Sequence, residues 1–141
     1  MKWLAFLGLG VALASGLWSV RATATEQAGT YQGKTGVPVK YYAGGIGYSS
    51  QEETAERSPE YSVRVLFATP ERALLGNVSL VVTDPQGRVV FRIEKADPII
   101  YLGLPKGTYA FEGSYHDATK RFTRLAVDPQ KRRDVIFVFS E

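Results

Sequence analysis

The sequence predicts an all-β protein, a seven-stranded antiparallel β-sandwich preceded by a short irregular or helical N-terminal segment. From Tyr61 onward, apolar residues alternate with polar ones, as expected of strands with one buried face. Turn residues interrupt this alternation at intervals of about 8 to 12 residues, which is typical of sandwiches. Only one short helix is predicted, so a parallel α/β fold built on crossover helices is excluded.

Residues 1–24 have the layout of a secretory signal peptide. Lys2 supplies a positive charge, the stretch from Trp3 to Val20 carries none, and Ala22 and Ala24 are small residues where signal peptidase reads them. Cleavage after Ala24 predicts an exported protein without stable membrane insertion, most simply in the bacterial periplasm and otherwise extracellular. An uncleaved anchor is the alternative, because the apolar stretch is nearly long enough to span a bilayer.

The segment 25–60 is expected to be a flexible leader, since it is largely polar and contains several glycines. Within it, Val37 to Tyr42 is expected to be a short extended piece, which Pro38 confines to a sheet edge or to non-strand structure. Ser50 to Glu53 fit a capping box, and they predict a helix of about two turns that ends before Pro59.

Residues 61–141 are expected to form one sandwich domain around a single core. Asp84-Pro85-Gln86-Gly87 predicts a tight turn inside a β-hairpin. In Leu104-Pro105-Lys106-Gly107, proline and glycine predict a second turn, with Gly107 expected at a positive φ. The strands are expected near 61–67, 78–82, 89–93, 99–104, 108–116, 119–127 and 134–139. The expected core residues are Val63, Val65, Phe67, Val78, Leu80, Val82, Phe91, Leu102, Tyr109, Phe111, Leu125, Val135 and Phe137.

The charge balance disfavours nucleic acid as a partner. Removal of residues 1–24 takes away two of the 17 basic residues and none of the 14 acidic ones, which leaves a net charge of about +1. A protein that binds nucleic acid through its phosphates needs a larger positive excess.

No catalytic constellation, metal site or cofactor motif is found in the sequence. Cysteine is absent, which excludes thiol catalysis and zinc–thiolate sites. His116 is the single histidine, and its setting in Tyr115 to Thr119 predicts an exposed hairpin turn. The glutamates between 52 and 60 lack the alternating pattern of a calcium loop. We therefore expect a protein that is not an enzyme and that holds no cofactor.

Tyrosines and basic residues are the candidate binding groups. Tyr41, Tyr42 and Tyr48 fall at the margin of the sandwich, where aromatic rings can stack on sugars or peptides. Lys120, Arg121, Arg124 and Lys131-Arg132-Arg133 form a candidate basic edge for an acidic partner. Basic side chains at sheet edges also prevent aggregation, and this is the more common role.

The turn and hairpin motifs resemble those of the carboxypeptidase regulatory-like domain, a transthyretin-like (prealbumin-like) seven-stranded sandwich. The resemblance rests on Leu104-Pro105-Lys106-Gly107-Thr108-Tyr109 and the hairpin Val78 to Ile93, and it covers about Tyr61 to Phe139. With Tyr42 to Gly47 ahead of the sandwich, the chain is similar to small exported bacterial proteins of this family that mostly lack an assigned function. The resemblance implies a non-catalytic accessory module that contacts protein or polysaccharide in the envelope.

Two alternatives stay open. Transthyretin-type hydroxyisourate hydrolases share the architecture, but the family's several active-site histidines and C-terminal Tyr-Arg-Gly-Ser motif have no counterpart in a chain that ends Phe137-Val138-Phe139-Ser140-Glu141. An assembly subunit that polymerises by strand addition is the other, with Val37 to Tyr42 as the donor strand.

Overall fold

A computed structural model describes residues 27–45 and 50–140, which form nine strands and one helix. The elements are β1 (Gln27–Gln32), β2 (Pro38–Gly44), α1 (Ser50–Arg57), β3 (Val63–Ala68), β4 (Val78–Thr83), β5 (Val89–Ala96), β6 (Ile99–Leu102), β7 (Gly107–Tyr115), β8 (Ala118–Val127) and β9 (Arg133–Val138). No helix in these two ranges is long and apolar enough to cross a membrane. The predicted signal peptide lies outside the described residues.

The strands form two sheets, so the all-β prediction is confirmed. The first sheet has the strand order β1-β2-β6-β3-β9, and the second has the order β5-β4-β7-β8. Each of the seven strands predicted from alternation has a counterpart among β3 to β9, and α1 begins at the predicted capping box. In β4, for example, Val78, Leu80 and Val82 are buried while their neighbours are partly exposed.

The predicted count of seven antiparallel strands is wrong in two respects. There are nine strands, because β1 and β2 extend the first sheet. In addition, β3 and β9 pair in parallel, with Val65 opposite Val135. No tight turn fixes the relative direction of β3 and β9, because the five strands β4 to β8 separate them in the sequence.

The described part of the predicted leader is built into the first sheet. Strands β1 and β2 form an antiparallel hairpin, and β2 places Val39 and Ala43, both 0% exposed, in the core. Pro38 does not confine β2 to an edge, since this strand lies between β1 and β6. Pro38 is the first residue of β2, and β6 pairs only with residues 41–44 of that strand. The N–H that proline lacks is therefore not needed for the hydrogen bonds between β2 and β6. A donor role for β2 would require this strand to leave the sheet.

Both sheets contribute to one main core. Of the thirteen predicted core residues, twelve are buried, and Leu125 is partly buried against the others. The sheets approach closely at Gly113 of β7, where an added Cβ would lie 2.8 Å from the Phe67 ring and 3.0 Å from the Phe137 ring. A second, smaller cluster packs α1 on the outer face of the first sheet through Tyr42, Ala55, Tyr61 and Tyr101.

One of the two predicted turns has the expected glycine conformation. Gly87 has a φ of 84°, and its N–H donates to the Asp84 carbonyl at 2.9 Å. Gly107, however, has no positive φ and is the first residue of β7, so that prediction is wrong. The chain before it is held instead by Ser62, whose buried hydroxyl accepts from the Leu104 N–H at 3.0 Å and donates to the Leu104 carbonyl at 2.8 Å.

Candidate functional site

The tyrosines predicted to bind a partner differ in their surroundings. Tyr42 is 3% exposed, and its ring centroid lies 6.2 Å from that of Tyr101. Tyr41 is partly buried and packs edge-on against Phe91 at 5.3 Å. Tyr48 lies outside the described residues. Tyr41 and Tyr42 thus use their rings within the fold, and partner binding by the three tyrosines stays a prediction.

Arg132, from the candidate basic edge, holds the C-terminal end of helix α1. Its guanidinium donates to the carbonyls of Ala55 at 3.3 Å, Glu56 at 2.7 Å and Ser58 at 2.8 Å. These carbonyls lie in the last turn of α1 and directly after it, where the helix dipole favours a positive charge. The guanidinium also lies 5.5 Å from the centre of the Tyr101 ring. Arg132 therefore fastens α1 to the sheet.

Replacing Arg132 with methionine is expected to destabilise the fold by about 1 kcal/mol, because helix carbonyls lose a charged donor while the aliphatic stem is kept. Chemical unfolding measures this loss. Lys131→Met is the matched control, since it removes the same charge from an exposed neighbouring residue, and it should stay within about 0.5 kcal/mol of the wild type. Equal effects of the two substitutions would contradict the helix-anchoring role.

A polar cluster joins α1 to β3, β6 and β9. Arg64 donates to both carboxylate oxygens of Asp134, at 2.9 and 3.1 Å, and to Glu56 at 3.2 Å. The Tyr101 hydroxyl donates to Glu56 at 2.6 Å. This hydrogen bond, together with the charge of Arg64, lowers the pKa of Glu56 below its usual value. Burial and the same hydrogen bond raise the pKa of Tyr101. The cluster stabilises the ionised form of Glu56.

The lowered pKa of Glu56 predicts a pH-dependent stability. A carboxyl group whose pKa falls on folding stabilises the protein above its unfolded pKa, near 4.3, and this contribution is lost as the pH falls through the folded pKa. The stability advantage of the wild type over Glu56→Gln should therefore be present at neutral pH and shrink in acid. Melting temperatures measured from pH 7 to pH 3 test this. A constant difference would show that the carboxylate charge contributes nothing.

Strand β8 is an open edge of the second sheet. It is ten residues long and pairs only with β7. All of its residues from 118 to 126 are at least partly exposed. Along its outer side, the backbone faces no other strand in the part of the chain that the structure describes. Such an edge offers donors and acceptors to an added strand.

A groove runs between β8 and β9, which are edge strands of opposite sheets. It has a volume of about 160 Å³ and is lined by the apolar residues Phe122, Leu125, Val135 and Ile136 and by the charged residues Arg133 and Asp134. Phe122 is 38% exposed, and its ring centroid lies 5.0 Å from that of the buried Phe137. Ile136 is 51% exposed. The groove thus places apolar surface directly beside the open edge.

A β-bulge in β8 places Phe122 and Leu125 on the same face of the strand. Phe122 is opposite Phe111 and Leu125 is opposite Tyr109, so both point towards the core side. Thr123 and Arg124 together occupy the bulge, where Arg124 has a φ of 59°. Without the extra residue, Phe122 and Leu125 would lie on opposite faces.

A second cleft, of about 270 Å³, lies where β8 meets the turn between β4 and β5. Arg121, Thr123 and Arg124 line it, together with Thr83 and Thr108. None of the three threonine hydroxyls makes a side-chain hydrogen bond within the described ranges. Asp84 also borders this cleft, but its carboxylate already accepts from Arg88 at 2.9 Å.

The charge of β8 is uniformly positive. Lys120, Arg121 and Arg124 lie on it, and the strand contains no acidic residue. Arg121 faces Glu112 at 3.5 Å in a solvent-exposed pair, and Lys120 lies 5.6 Å from the centre of the Phe139 ring. Arg124 forms no ion pair or side-chain hydrogen bond with any residue that the structure describes. At least one guanidinium at the edge is therefore available to an anion.

On the side away from β8 and β9, side chains connect β1 of the first sheet to β5 of the second. Gln27 of β1 donates to the carbonyls of Glu94 and Lys95 in β5, at 3.4 and 3.2 Å. Tyr31 packs edge-on against Phe91, with ring centroids 5.5 Å apart. The β8–β9 side is thus the more accessible of the two.

A further cleft, of about 290 Å³, lies between α1 and the first sheet. Lys40 and Glu60 stand at it, 2.6 Å apart, beside Tyr42 and Tyr61. The hydrogen bond between the two charged groups raises the pKa of Lys40 and lowers that of Glu60. Because these charges neutralise each other, this cleft attracts a charged ligand less than β8 does.

His116 lies in the turn between β7 and β8, exposed and with a φ of 54°, as its sequence setting predicts. Within 27–45 and 50–140, no three His, Cys, Asp or Glu side chains are grouped so that they could hold a metal ion.

The chain matches no protein-family model, no curated protein and no solved structure. Sequence reasoning found the basic residues of β8 but missed Phe122 as an exposed edge residue. Regular alternation from the predicted core residue Leu125 puts Phe122 on the opposite face, and only the bulge brings both side chains to the core side. The sequence also could not show that β8 and β9 lie side by side, because this depends on the order of the strands in the two sheets.

Proposed function

We propose that the protein is an exported, non-catalytic binding module of the bacterial envelope that takes up an extended segment of a protein partner along β8. The open ten-residue edge beside a largely apolar groove carries this proposal. A peptide supplies backbone donors and acceptors at the spacing of a strand, whereas a polysaccharide does not, so a protein partner fits this edge better.

The groove distinguishes β8 from a sheet edge whose features serve only to prevent aggregation. Charged side chains and a bulge are sufficient to keep sheet edges from aggregating, and β8 has both. It also exposes Phe122 at a groove that continues past Leu125 to Ile136. An edge that serves only to repel gains nothing from this apolar surface, while an inserted strand buries it.

We also propose that β3 to β9 correspond to the transthyretin-like sandwich of the carboxypeptidase regulatory-like domain. The β4–β5 hairpin and the turn that leads from β6 into β7 support this assignment. On this view β1 and β2 are an addition to the family's seven strands.

Export is part of the proposal and rests on the signal-peptide layout of residues 1–24. The intact mass of protein recovered from the envelope should correspond to a chain that begins at Thr25. A mass that retains Met1 would contradict cleavage and favour a membrane anchor.

The strand-addition role is tested with two matched variants in a pull-down from envelope extract. Phe122→Asp places a charge at the β8 groove, and Val37→Asp makes the same change at the hairpin between β1 and β2, where the exposed fraction is similar, 42% against 38%. We expect the wild type and Val37→Asp to retain the same partner and Phe122→Asp to lose it. Thermal melts establish that both variants are folded. A partner retained by folded Phe122→Asp would overturn the assignment of the surface to β8.

A further inference from the structure

We infer that the segment bound by β8 alternates acidic and apolar residues, with the acidic side chains beside Arg121 and Arg124 and the apolar ones in the groove at Phe122 and Leu125. This inference rests on the proposed function. It specifies the chemistry of the partner segment, which strand addition alone leaves open.

The alternation follows from the two faces of the edge. Side chains of any added strand point alternately to the two faces of the second sheet. Those on the inner face lie over the β8–β9 groove, beside Phe122 and Leu125. Those on the outer face lie next to the cleft lined by Arg121, Thr123 and Arg124. A single added strand therefore meets largely apolar surface on its inner face, with Lys120 at one end, and basic surface on its outer face.

The outer cleft has the chemistry that a carboxylate requires. Guanidinium groups bind carboxylates through paired, charge-assisted hydrogen bonds. Arg124 has no other partner within the described part of the chain, and Arg121 has only the exposed contact with Glu112 at 3.5 Å. The hydroxyls of Thr83, Thr108 and Thr123 supply further donors. The one acid that borders the cleft, Asp84, is already paired with Arg88.

The same charges argue against two other occupants. A second copy paired through β8 would bring Lys120, Arg121 and Arg124 against their own counterparts, and like charges across strands are destabilising. The chain's own residues 1–26 contain a single acid, Glu26, and so lack the required pattern. An acidic segment of a different protein avoids both conflicts.

Four synthetic peptides of about ten residues, the length of β8, test the inference directly. Three alternate valine with glutamate, serine or lysine, and the fourth has the composition of the first but places its glutamates and valines in separate blocks. We expect the alternating Glu/Val peptide to bind at least about tenfold more tightly than the Ser/Val peptide, as expected of one or two charge-assisted contacts. The Lys/Val and block peptides should bind weakest, and added salt should reduce the difference.

Charge reversal gives the complementary test. The variant Arg121→Glu, Arg124→Glu should lose the preference for the Glu/Val peptide and favour the Lys/Val peptide. The matched control is Arg92→Glu, Lys95→Glu, which makes the same change of charge on β5, the other edge of this sheet. This control should bind the four peptides in the wild-type order. An unchanged order in the β8 variant would overturn the inference.

Failure of the inference and failure of the proposed function give different results. If the Ser/Val and Glu/Val peptides bind equally and both slow amide exchange along β8, strand addition holds and the acidic pattern is wrong. If the block peptide binds as well as the Glu/Val peptide, the alternating pattern is wrong. If a Glu/Val peptide methylated on every backbone nitrogen binds as well as the unmethylated one, attraction is electrostatic only and strand addition is wrong. If none of the peptides binds, the inference is wrong, and the pull-down with Phe122→Asp decides on the edge itself.

Discussion

Replacing Phe137 with alanine is expected to lower the free energy of unfolding by about 3 to 5 kcal/mol. Phe137 is fully buried, and its ring stacks on Phe67 with centroids 5.0 Å apart. It also supports Phe122 at the same distance on the other side. The substitution leaves a cavity where the two sheets meet, because backbone pairing with β3 prevents β9 from closing it. Denaturant unfolding at neutral pH measures the loss.

Phe122→Ala is the control for this prediction. It removes an equal ring from a site that is 38% exposed, so less apolar surface returns to water and solvent fills the space. The expected loss is less than half of that for Phe137→Ala. Equal losses would mean that Phe122 belongs to the core, and the β8–β9 groove would then be an extension of the interior with no open side.

Adding one methyl group at Gly113 is the second large expected effect. A Cβ there would lie 2.8 Å from the Phe67 ring, closer than real Cβ contacts come, and 3.0 Å from the Phe137 ring, which is tighter than most of them. Both rings are buried and cannot move without disturbing the core. Gly113→Ala should therefore destabilise the protein by about 1 to 3 kcal/mol. Denaturant midpoints compared at a constant slope give the value.

Gly107→Ala is the matched control, since it makes the same change in the same strand. Gly107 has no positive φ, and a Cβ there would meet the Tyr109 side chain at an ordinary 3.4 to 3.6 Å. This variant should be neutral or slightly stabilised, because alanine restricts the unfolded chain more than glycine does. Destabilisation at Gly107 as large as at Gly113 would show that backbone flexibility, and not the contact between the sheets, determines the result.

The strands from Val63 onward could be predicted because each buries one face of an alternating pattern. Strand β1 could not, since Gln27–Gln32 contains only one large apolar residue, Tyr31. It becomes a strand by pairing with β2, which in turn pairs with β6, more than fifty residues further along the chain. Such pairing is a property of the whole sheet and leaves no local signal.

The contacts of the arginines could not be predicted for a similar reason. Arg64 binds Asp134, which is 70 residues away in the sequence, and Arg132 reaches the carbonyl of Ala55. As a run of charges, Lys131-Arg132-Arg133 predicts an exposed basic surface. The structural role of Arg132 becomes visible only once helix α1 is placed beside it. The basic residues of the open edge are therefore those on β8.

The most direct test of strand addition at β8 is amide hydrogen exchange of the full chain, alone and bound to the partner retained in the pull-down. The proposal predicts slower exchange in the complex for amides between 118 and 125, with amides of the other edge strand, β5, unchanged. Protection confined to β5, or to the cleft at Lys40 and Glu60, with β8 exchanging as in the free protein, would contradict the proposal.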